Sequence, residues 1–471
     1  MHPSVTPWMI LPFGALLGCI AIMPLLAHPW WERHYPKVTF ALALITLAYY
    51  LGILKQTARP LESAHEYFSF ICVIGALYVV SGGILIRVKG EFTPLANTLL
   101  LGLGALLANL IGTTGASMML IRPYLRANKY RITSYHVVFF IFIVSNVGGS
   151  LTPIGDPPLY LGFLKGIPFF WTFNLLPMWL VGITWLLVMF FIIDSLNFRR
   201  APAQVREKET ENKTWKIEGL PNLLLIGLIL FSLFIESPPF LREAIMIVAA
   251  ITSRFVTDPQ IYKSNEFSWT PVREVAILFA GIFITMMPAL DWLEANASDL
   301  GIGSVASFYW GSGLLSSALD NAPTYLNFLS AAVGLFVDPT VVESVRHLIA
   351  NGEVLALAGK EALHSREILN TLAILKQHHT EGLKAAHISS EEIRVAYLLA
   401  NHALHIAAIS IGAVFFGACT YIGNGPNFMV KSIAEHSSVR TPSFFGYIFK
   451  FTIPILLPML IAIWWIFFRV G

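Results

Sequence analysis

The hydrophobic pattern divides the chain into long apolar runs separated by short polar stretches. Three of these runs, at 93–121, 166–193 and 395–430, contain no Asp, Glu, Lys or Arg. Uncharged runs of this length are typical of segments that enter or cross a membrane. The pattern therefore predicts an all-α, polytopic membrane protein.

Two of the apolar segments are interrupted by nearly the same motif. Residues 152–158 read TPIGDPP and residues 420–426 read TYIGNGP. A Gly, a polar residue and a Pro break a helix and free backbone carbonyls, which a membrane tolerates only inside protein or beside a water-filled cavity. Paired breaks in two halves of a membrane protein point to the binding site of a secondary transporter.

The predicted elements follow the same order in both halves: three apolar spans, a charge-poor hairpin, a broken segment and a final helix. They lie at 7–27, 38–54, 66–86, 93–121, 132–165 and 166–193, and again at 219–235, 244–257, 275–290, 300–337, 395–430 and 444–468. If both hairpins are re-entrant, each half crosses the membrane five times, so the second repeat is inverted. We predict a first repeat at 1–198, a linker at 199–218, and a second repeat at 219–471 with an extramembrane helical insert at 338–394.

The distribution of charge predicts the orientation. Residues 122–131 carry four Lys or Arg and no acid, and residues 199–217 carry six Lys or Arg against three Glu. The insert 338–394 carries eight acids against six bases. Because positively charged loops stay in the cytoplasm, we expect the first two stretches inside and the insert outside. The first apolar run has no Lys or Arg before it, so we interpret it as a retained helix and not a signal peptide.

The composition supports the membrane class and narrows the function. Of 471 residues, 56% are hydrophobic and 13% are charged, against roughly 25% charged in soluble chains. The net charge of +3 is too small to indicate a nucleic-acid partner. The three cysteines lie in apolar segments and are interpreted as small core residues. The sequence has no HExxH, GxSxG or nucleotide-binding signature, which argues against an enzyme or an ATP-driven pump.

Asp156, in the first motif, is the first candidate for chemistry. A carboxylate in the middle of a membrane is costly and is a functional candidate by default. Neutral side-chain oxygens lie close to it in the sequence, on Ser145, Asn146, Ser150 and Thr152. A carboxylate among neutral oxygens suits Na⁺, and the same carboxylate can carry a proton. The alternative is a structural carboxylate that caps the helix restarting after Pro158.

The second hairpin supplies another acid. Asp320 lies at its tip, followed by Asn321 and Thr324. The other tip and the second motif offer neutral groups only, on Thr113, Thr114, Thr420 and Asn424. If each hairpin meets the broken helix of its own half, each site receives one carboxylate, which suits monovalent cations or their exchange for protons.

Two histidines precede the second motif. His402 and His405 are three residues apart and share one face of a predicted helix. They are either a proton relay or a packed pair. No metal-ligand set accompanies them.

Taken together, the motifs resemble a known family. SNVGGSLTPIGDPP at 145–158, an earlier GTTG and a later ALDNAPT are similar to the ion transporter superfamily, which includes NhaD-type sodium/proton antiporters, arsenite permeases and citrate or dicarboxylate transporters. The resemblance covers 93–193 and 300–468. It implies homodimers with a scaffold and a mobile transport domain, and ion-binding groups at Asp156, Asn146, Asp320, Asn321 and Thr324. The insert and the Asn at 424 depart from the family pattern.

The sequence leaves several functions open. Na⁺/H⁺ exchange is the leading hypothesis, sodium-coupled transport of citrate or a dicarboxylate is the alternative, and arsenite efflux is third. Two buried acids would repel an anion, which favours the cation hypothesis. We expect a multi-pass protein of the inner (plasma) membrane whose partners are Na⁺, H⁺ or a small carboxylate and the lipid bilayer. No cofactor is expected beyond the transported or coupling ions.

Overall fold

The computed structural model describes residues 5–89, 92–200, 214–235, 237–350, 364–384 and 388–469. In the first half the α-helices are Leu11–Leu26, His28–Ala48, Ala58–Gly82, Pro94–Ala127, Ser134–Ile143, Pro157–Leu164 and Leu176–Arg200. Shorter 3-10 helices lie at Pro7–Ile10, Val147–Leu151 and Phe169–Leu175, and a π-helical turn lies at Tyr49–Ile53.

The second half has the corresponding helices and the insert. Its α-helices are Pro221–Ser232, Leu241–Val256, Pro259–Ser264, Thr270–Thr285, Met287–Asn296, Val305–Ala318, Asn321–Phe336, Pro339–Ala350, Ser365–His378, Thr380–Lys384, Ser390–Asn401, Ala403–Phe416, Gly425–His436, Phe444–Tyr447 and Leu457–Ile463. Two 3-10 turns lie at Ala297–Leu300 and Gly417–Cys419, and π-helical stretches lie at Ile448–Leu456 and Trp464–Phe468.

The helices have the length and apolar character of membrane spans. Within the described residues, eight helices are long and apolar enough to cross a membrane, or up to ten if two bent pairs are counted as spans. Large apolar side chains cover their outer surfaces, as at Trp8, Leu224 and Phe255. An apolar outer surface of this kind matches a lipid environment. The predicted all-α polytopic fold is confirmed.

The first hairpin, Pro94–Ala127, turns back on itself at Gly112. This residue has φ 76° and ψ 155° inside an otherwise helical segment, a conformation that favours glycine because it lacks a Cβ. The side-chain amides of Asn97 and Asn128 donate to each other across 2.7 Å. The start and the end of the segment therefore lie side by side, as a re-entrant hairpin requires.

The second hairpin has the same shape. Leu319 and Asp320 are extended and separate Val305–Ala318 from Asn321–Phe336. The ring of Phe308, near the start of the hairpin, lies 5.8 Å from the ring of Phe336 at its end. The two arms thus return to the same side, and the tip lies at Asp320.

A small antiparallel sheet was not predicted from the sequence. Strand Leu85–Lys89 pairs with strand Thr214–Glu218, and Arg87 Nε donates to Glu218 Oε2 across 3.0 Å. The pairing joins the end of the predicted linker to the residues that precede the first hairpin. Both lie on one side of the molecule, although most of the linker, 201–213, is outside the described residues.

The insert packs as a separate helical layer. Its own apolar core includes Val345, Ile368, Leu372 and Ile393. The predicted capping box is present, with Ser389 as the N-cap of Ser390–Asn401. Residues 351–363 and 385–387 of the insert lie outside the described part of the chain.

The entry into the second broken segment differs from the expectation of one run at 395–430. Ser390–Asn401 is bent by 99° against the apolar helix that follows His402. The helix packs on two cores: Ile393 and Ala396 contact the core of the insert, while Val395, Leu398 and Leu399 contact the main core. This helix therefore joins the insert layer to the membrane part. Likewise, the second helix of the chain begins at His28, about ten residues earlier than the apolar pattern indicates.

A buried ionic cluster lies where the first hairpin begins and ends. Asp194 is fully buried and binds Arg131. It also accepts hydrogen bonds from Tyr135 Oη at 2.7 Å and from Asn97 Nδ2 at 3.0 Å, and His136 Nε2 lies 3.2 Å away. Removing one partner of a buried ion pair leaves the other charge uncompensated, which is more costly than losing a surface pair.

Asp194→Asn should therefore destabilise the protein by roughly 3–5 kcal/mol, seen as a lower melting temperature in detergent. The matched control is Asp258→Asn, at an exposed N-cap where the side chain accepts from Gln260 N across 2.8 Å. Asn caps helices about as well as Asp. Equal melting temperatures for the two variants would show that the Asp194 cluster does not support the fold.

The orientation remains a prediction from charge, and single cysteines test it. Lys129 and Arg366 are both exposed, the first in the loop 122–131 and the second in the insert. In a background whose native cysteines are replaced by Ser, an impermeant thiol reagent should label Arg366→Cys on intact cells. Lys129→Cys should react only after the membrane is opened. The opposite labelling pattern would invert the orientation.

Candidate functional site

The two hairpin tips and the two breaks meet at one carboxylate. Asp156 is fully buried, and its Oδ1 accepts from Thr113 Oγ1 at 2.8 Å and from Asn424 Nδ2 at 2.9 Å. Its Oδ2 accepts from Asn321 Nδ2 at 2.6 Å. Thr113 comes from the first hairpin tip, Asn321 from the second tip and Asn424 from the second break. We call these four residues the Asp156 centre.

Asp156 is not a helix cap, although it stands at the N-cap position of Pro157–Leu164. Its side chain makes no capping hydrogen bond. The reason lies in the sequence, because Pro157 and Pro158 have no N–H to offer. The N–H of Leu159 donates to the backbone carbonyl of Asp156 instead, across 3.1 Å. The carboxylate is left free to interact with both repeats.

Hydrogen bonds between asparagine side chains connect the two breaks behind the Asp156 centre. Asn146 Nδ2 donates to Asn427 Oδ1 at 2.7 Å and to Ile141 O at 2.8 Å. Asn424 Nδ2 lies 3.2 Å from Asn146 Oδ1 and also donates to the backbone carbonyl of Ser145, at 3.1 Å. Asn427 was missed in the sequence. Its position three residues after Asn424 in an apolar segment is the signal that could have found it.

Thr152 and Thr420 hold each break to the hairpin of its own half. Thr152 Oγ1 donates to Asn109 O at 2.6 Å, and Thr420 Oγ1 donates to Ser317 O at 2.7 Å. The two hydrogen bonds are equivalent in the two repeats. Both hydroxyls are therefore engaged with backbone, at the edge of the Asp156 centre.

Two other candidates have local partners, and a third lines a cavity. Ser150 Oγ donates to Val147 O at 3.3 Å, and Thr324 Oγ1 donates to Asp320 O at 3.0 Å. Thr114 lines a small cavity beside the first tip. Of the candidates predicted from sequence, the structure gathers Thr113, Asn321 and Asn424 directly on Asp156, with Asn146 and Ser145 next to them.

The contacts of Asp320 differ from the prediction, in which each of two sites receives one carboxylate. It caps its own helix by accepting from Ala322 N at 3.0 Å, and it is only partly buried. Unlike Pro158, which stands at the corresponding position after Asp156, Ala322 has an N–H to be capped. Its neighbour Asn321 reaches Asp156 instead. The two halves therefore build a single centre around one acid.

The two histidines form a packed pair at the bend after Asn401. His402 stacks on Phe336 with 4.3 Å between ring centroids, and His405 Nε2 lies 3.2 Å from Gly303 O. Phe336 ends the helix that begins at Asn321, about 22 Å away at the rise of an α-helix. The geometry therefore matches the packed-pair alternative and gives no support to a relay into the Asp156 centre.

Two features leave room for a small species at the centre. Asn321 Oδ1 is buried and has no hydrogen-bond partner among the described residues. A cavity of about 30 Å³ lies between the first tip and helix Ala58–Gly82, lined by Thr113, Gly155 and Tyr160 among others. A bare cation or a water molecule fits in a space of this size.

The first break depends on glycine at Gly155. A Cβ on Gly155 would lie 2.0 Å from the carbonyl oxygen of Gly149, so no side chain fits. Gly423 and Gly417 make the equivalent approach in the second break, at 2.6 Å. The Gly of the repeated motif is thus required by backbone packing.

Gly155→Ala should therefore abolish the folded, monodisperse protein or lower its melting temperature strongly. Gly425→Ala is the matched control, because a Cβ there meets no atom within 4 Å. Size-exclusion chromatography and thermal unfolding in detergent compare the two variants. A Gly155→Ala protein as stable as Gly425→Ala would contradict the described packing of the break.

Comparison with known proteins supports a transport function. The chain matches the model of the family described as putative citrate transport over residues 2–468. No curated protein matches it. This finding agrees with the resemblance to the ion transporter superfamily, and the match includes both repeats and the whole Asp156 centre. The protein belongs to this citrate-transport family of multi-pass membrane proteins.

Proposed function

We propose that the protein is a cation-coupled transporter of citrate or a related small carboxylate, with Asp156 as the group that holds the coupling cation. The observation that carries the proposal is the burial of this one acid where the breaks and hairpin tips of both repeats meet. The family match favours the carboxylate alternative over Na⁺/H⁺ exchange, which the sequence had placed first.

The chemistry around Asp156 favours a monovalent cation or a proton. All three of its hydrogen-bond donors are neutral, so the carboxylate has no counter-charge among them. The unpartnered Oδ1 of Asn321 is an acceptor next to the carboxylate. Hard cations are bound by oxygens of this kind. A cation would complete the charge balance of the centre.

The same centre has features that attract an anion. Helices Pro157–Leu164, Asn321–Phe336 and Gly425–His436 all begin there, and the second arm of the first hairpin begins after Gly112. A helix N-terminus carries roughly half a positive charge. Half-helix N-termini bind anionic substrate groups in other transporters. A carboxylate can therefore be bound without an Arg.

Coupling follows from the charge of Asp156. While Asp156 is ionised and no cation is bound to it, it repels an anionic substrate. Once a cation or a proton neutralises it, the helix N-termini favour binding of the anion. The cation and the carboxylate thus bind together. Asp156 is fully buried in this conformation, so the conformation is closed and transport requires movement of the elements around the centre. We extend the proposal to a homodimer in the plasma membrane, as the resemblance implies.

Exchange of Na⁺ for H⁺ is the second candidate. It is favoured by the neutral surroundings of Asp156, since one carboxylate can alternate between the two cations without any substrate. The two functions differ in whether cation movement needs citrate.

Proteoliposomes test the proposal. Wild-type protein should take up labelled citrate when an inward Na⁺ or proton gradient is applied. Asp156→Asn should keep the melting temperature near that of wild type but lose cation-driven uptake at least about tenfold. Hydrogen bonds to a charged group are worth roughly 1.5–3 kcal/mol, and 1.4 kcal/mol is a factor of ten.

The control is Asp258→Asn, since Asp258 also precedes a Pro at the start of a helix but lies on the surface. It should transport like wild type. Cation-driven citrate uptake by Asp156→Asn at the wild-type rate would overturn the role of this carboxylate. Na⁺-driven proton movement in the absence of citrate would establish exchange instead.

A further inference from the structure

The helix that starts at Asp156 ends in a second charged contact. Pro157–Leu164 has Asp156 before its first residue and Lys165 after its last. Eight helical residues span about 12 Å. Lys165 is buried, with 8% of its surface exposed. Any shift of this short helix therefore moves both ends.

Lys165 binds three carboxylates from two other helices. Its Nζ lies 2.5 Å from Glu66, 3.0 Å from Glu391 and 3.6 Å from Glu62. Glu62 and Glu66 belong to helix Ala58–Gly82, whereas Glu391 belongs to helix Ser390–Asn401 of the insert layer. One ammonium group thus joins the helix of Asp156 to both. Because the ammonium lies among the three carboxylates, they are its counter-ions.

A cavity of about 240 Å³ lies beside this contact. Lys165, Glu62 and Glu391 line it together with Leu326 and Leu329. These two leucines lie on Asn321–Phe336, the helix whose first residue binds Asp156. The cavity is therefore separated from the Asp156 centre by less than two turns of this helix, on the side of the molecule that carries the insert.

The contact of Lys165 with Glu391 is weaker than its contact with Glu66, and it is the one that reaches the insert layer. The Glu391 side chain is 44% exposed, against 11% for Glu66, and its distance to Lys165 is 0.5 Å longer (3.0 against 2.5 Å). Because the Glu391 carboxylate is partly solvated, its separation from Lys165 costs less than that of a fully buried partner. The Glu391 side chain can therefore leave Lys165 while Glu66 stays paired with it and Val395, Leu398 and Leu399 keep the helix on the main core.

We propose that Lys165 is a latch that closes the insert-side path to the Asp156 centre, and that transport requires its separation from Glu391. In the closed conformation the pair bridges the walls of the 240 Å³ cavity. Separation would connect this cavity to the centre, where Asp156 is now fully buried. The inference rests on transport through the Asp156 centre, as proposed above.

A reversible cross-link tests the latch in transport. In a background without native cysteines, Lys165→Cys and Glu391→Cys are joined by a bifunctional thiosulfonate reagent of the length of the Lys–Glu pair. Uptake should be lost on cross-linking and return with reductant. Glu343→Cys with Arg346→Cys is the matched control, because this surface ion pair lies within one insert helix. Full uptake by the Lys165–Glu391 cross-linked protein would overturn the proposal.

An accessibility measurement separates the latch from the choice of substrate. Thr324 is buried one turn after Asn321, between the cavity and the centre. Lys165→Gln should raise the rate at which an impermeant thiol reagent modifies Thr324→Cys, whereas Lys263→Gln, at a distant exposed lysine, should leave the rate unchanged. An unchanged rate in Lys165→Gln would overturn the latch even if citrate uptake is confirmed. A raised rate without citrate uptake would support the latch and reject the substrate.

Discussion

The structure depends on keeping one charged carboxylate buried where no basic side chain binds it. Burying an ionised group is costly unless hydrogen bonds replace its water. Asp156 receives these hydrogen bonds from Thr113, Asn321 and Asn424, which come from three different broken elements. Each donor is held at the end of a half-helix, so the helix breaks are the means by which both repeats reach one acid. The close packing of Gly155 on Gly149 and the hydrogen bond of Thr152 fix the backbone of the first break, which positions Asp156 near its three donors.

The two repeats share a backbone design but have different chemistry. Both hold a break against its own hairpin through a threonine hydroxyl and a close pair of glycines. They differ in the charge of one side chain, because the second motif has the neutral Asn424 at the position where the first motif has Asp156. An acid at both positions would place two negative charges together in a dry site, where they would repel each other. With one acid and one amide, the centre is suited to a single positive charge.

Much of the fold could be predicted from local patterns, and the centre only in part. Charge-free runs and repeated motifs were enough to predict where the hairpins, the breaks and the insert lie in the chain. Helix length and helix breakers are local properties of the sequence. The sharing of Asp156 between the repeats was not predicted, since a contact between residues 165 positions apart leaves no mark in local spacing. The capping role of Asp320 was not predicted for a similar reason: whether an acid caps its helix depends on the N–H groups that follow. Those are present after Asp320 and absent after Asp156, where two prolines stand. The bend at His402 was hidden because the helix before it is amphipathic towards an insert core that forms only in the folded chain.

The central claim is that the coupling cation binds at Asp156 itself, and infrared difference spectroscopy of the purified protein tests it directly. Adding Na⁺ and citrate at fixed pH should change the carboxyl bands of one buried acid as a cation replaces a proton or joins the carboxylate. The account predicts that this signal disappears in Asp156→Asn and persists in Asp320→Asn, which caps a helix outside the centre. The same signal in Asp156→Asn as in wild type would show that the cation binds elsewhere and would contradict the account.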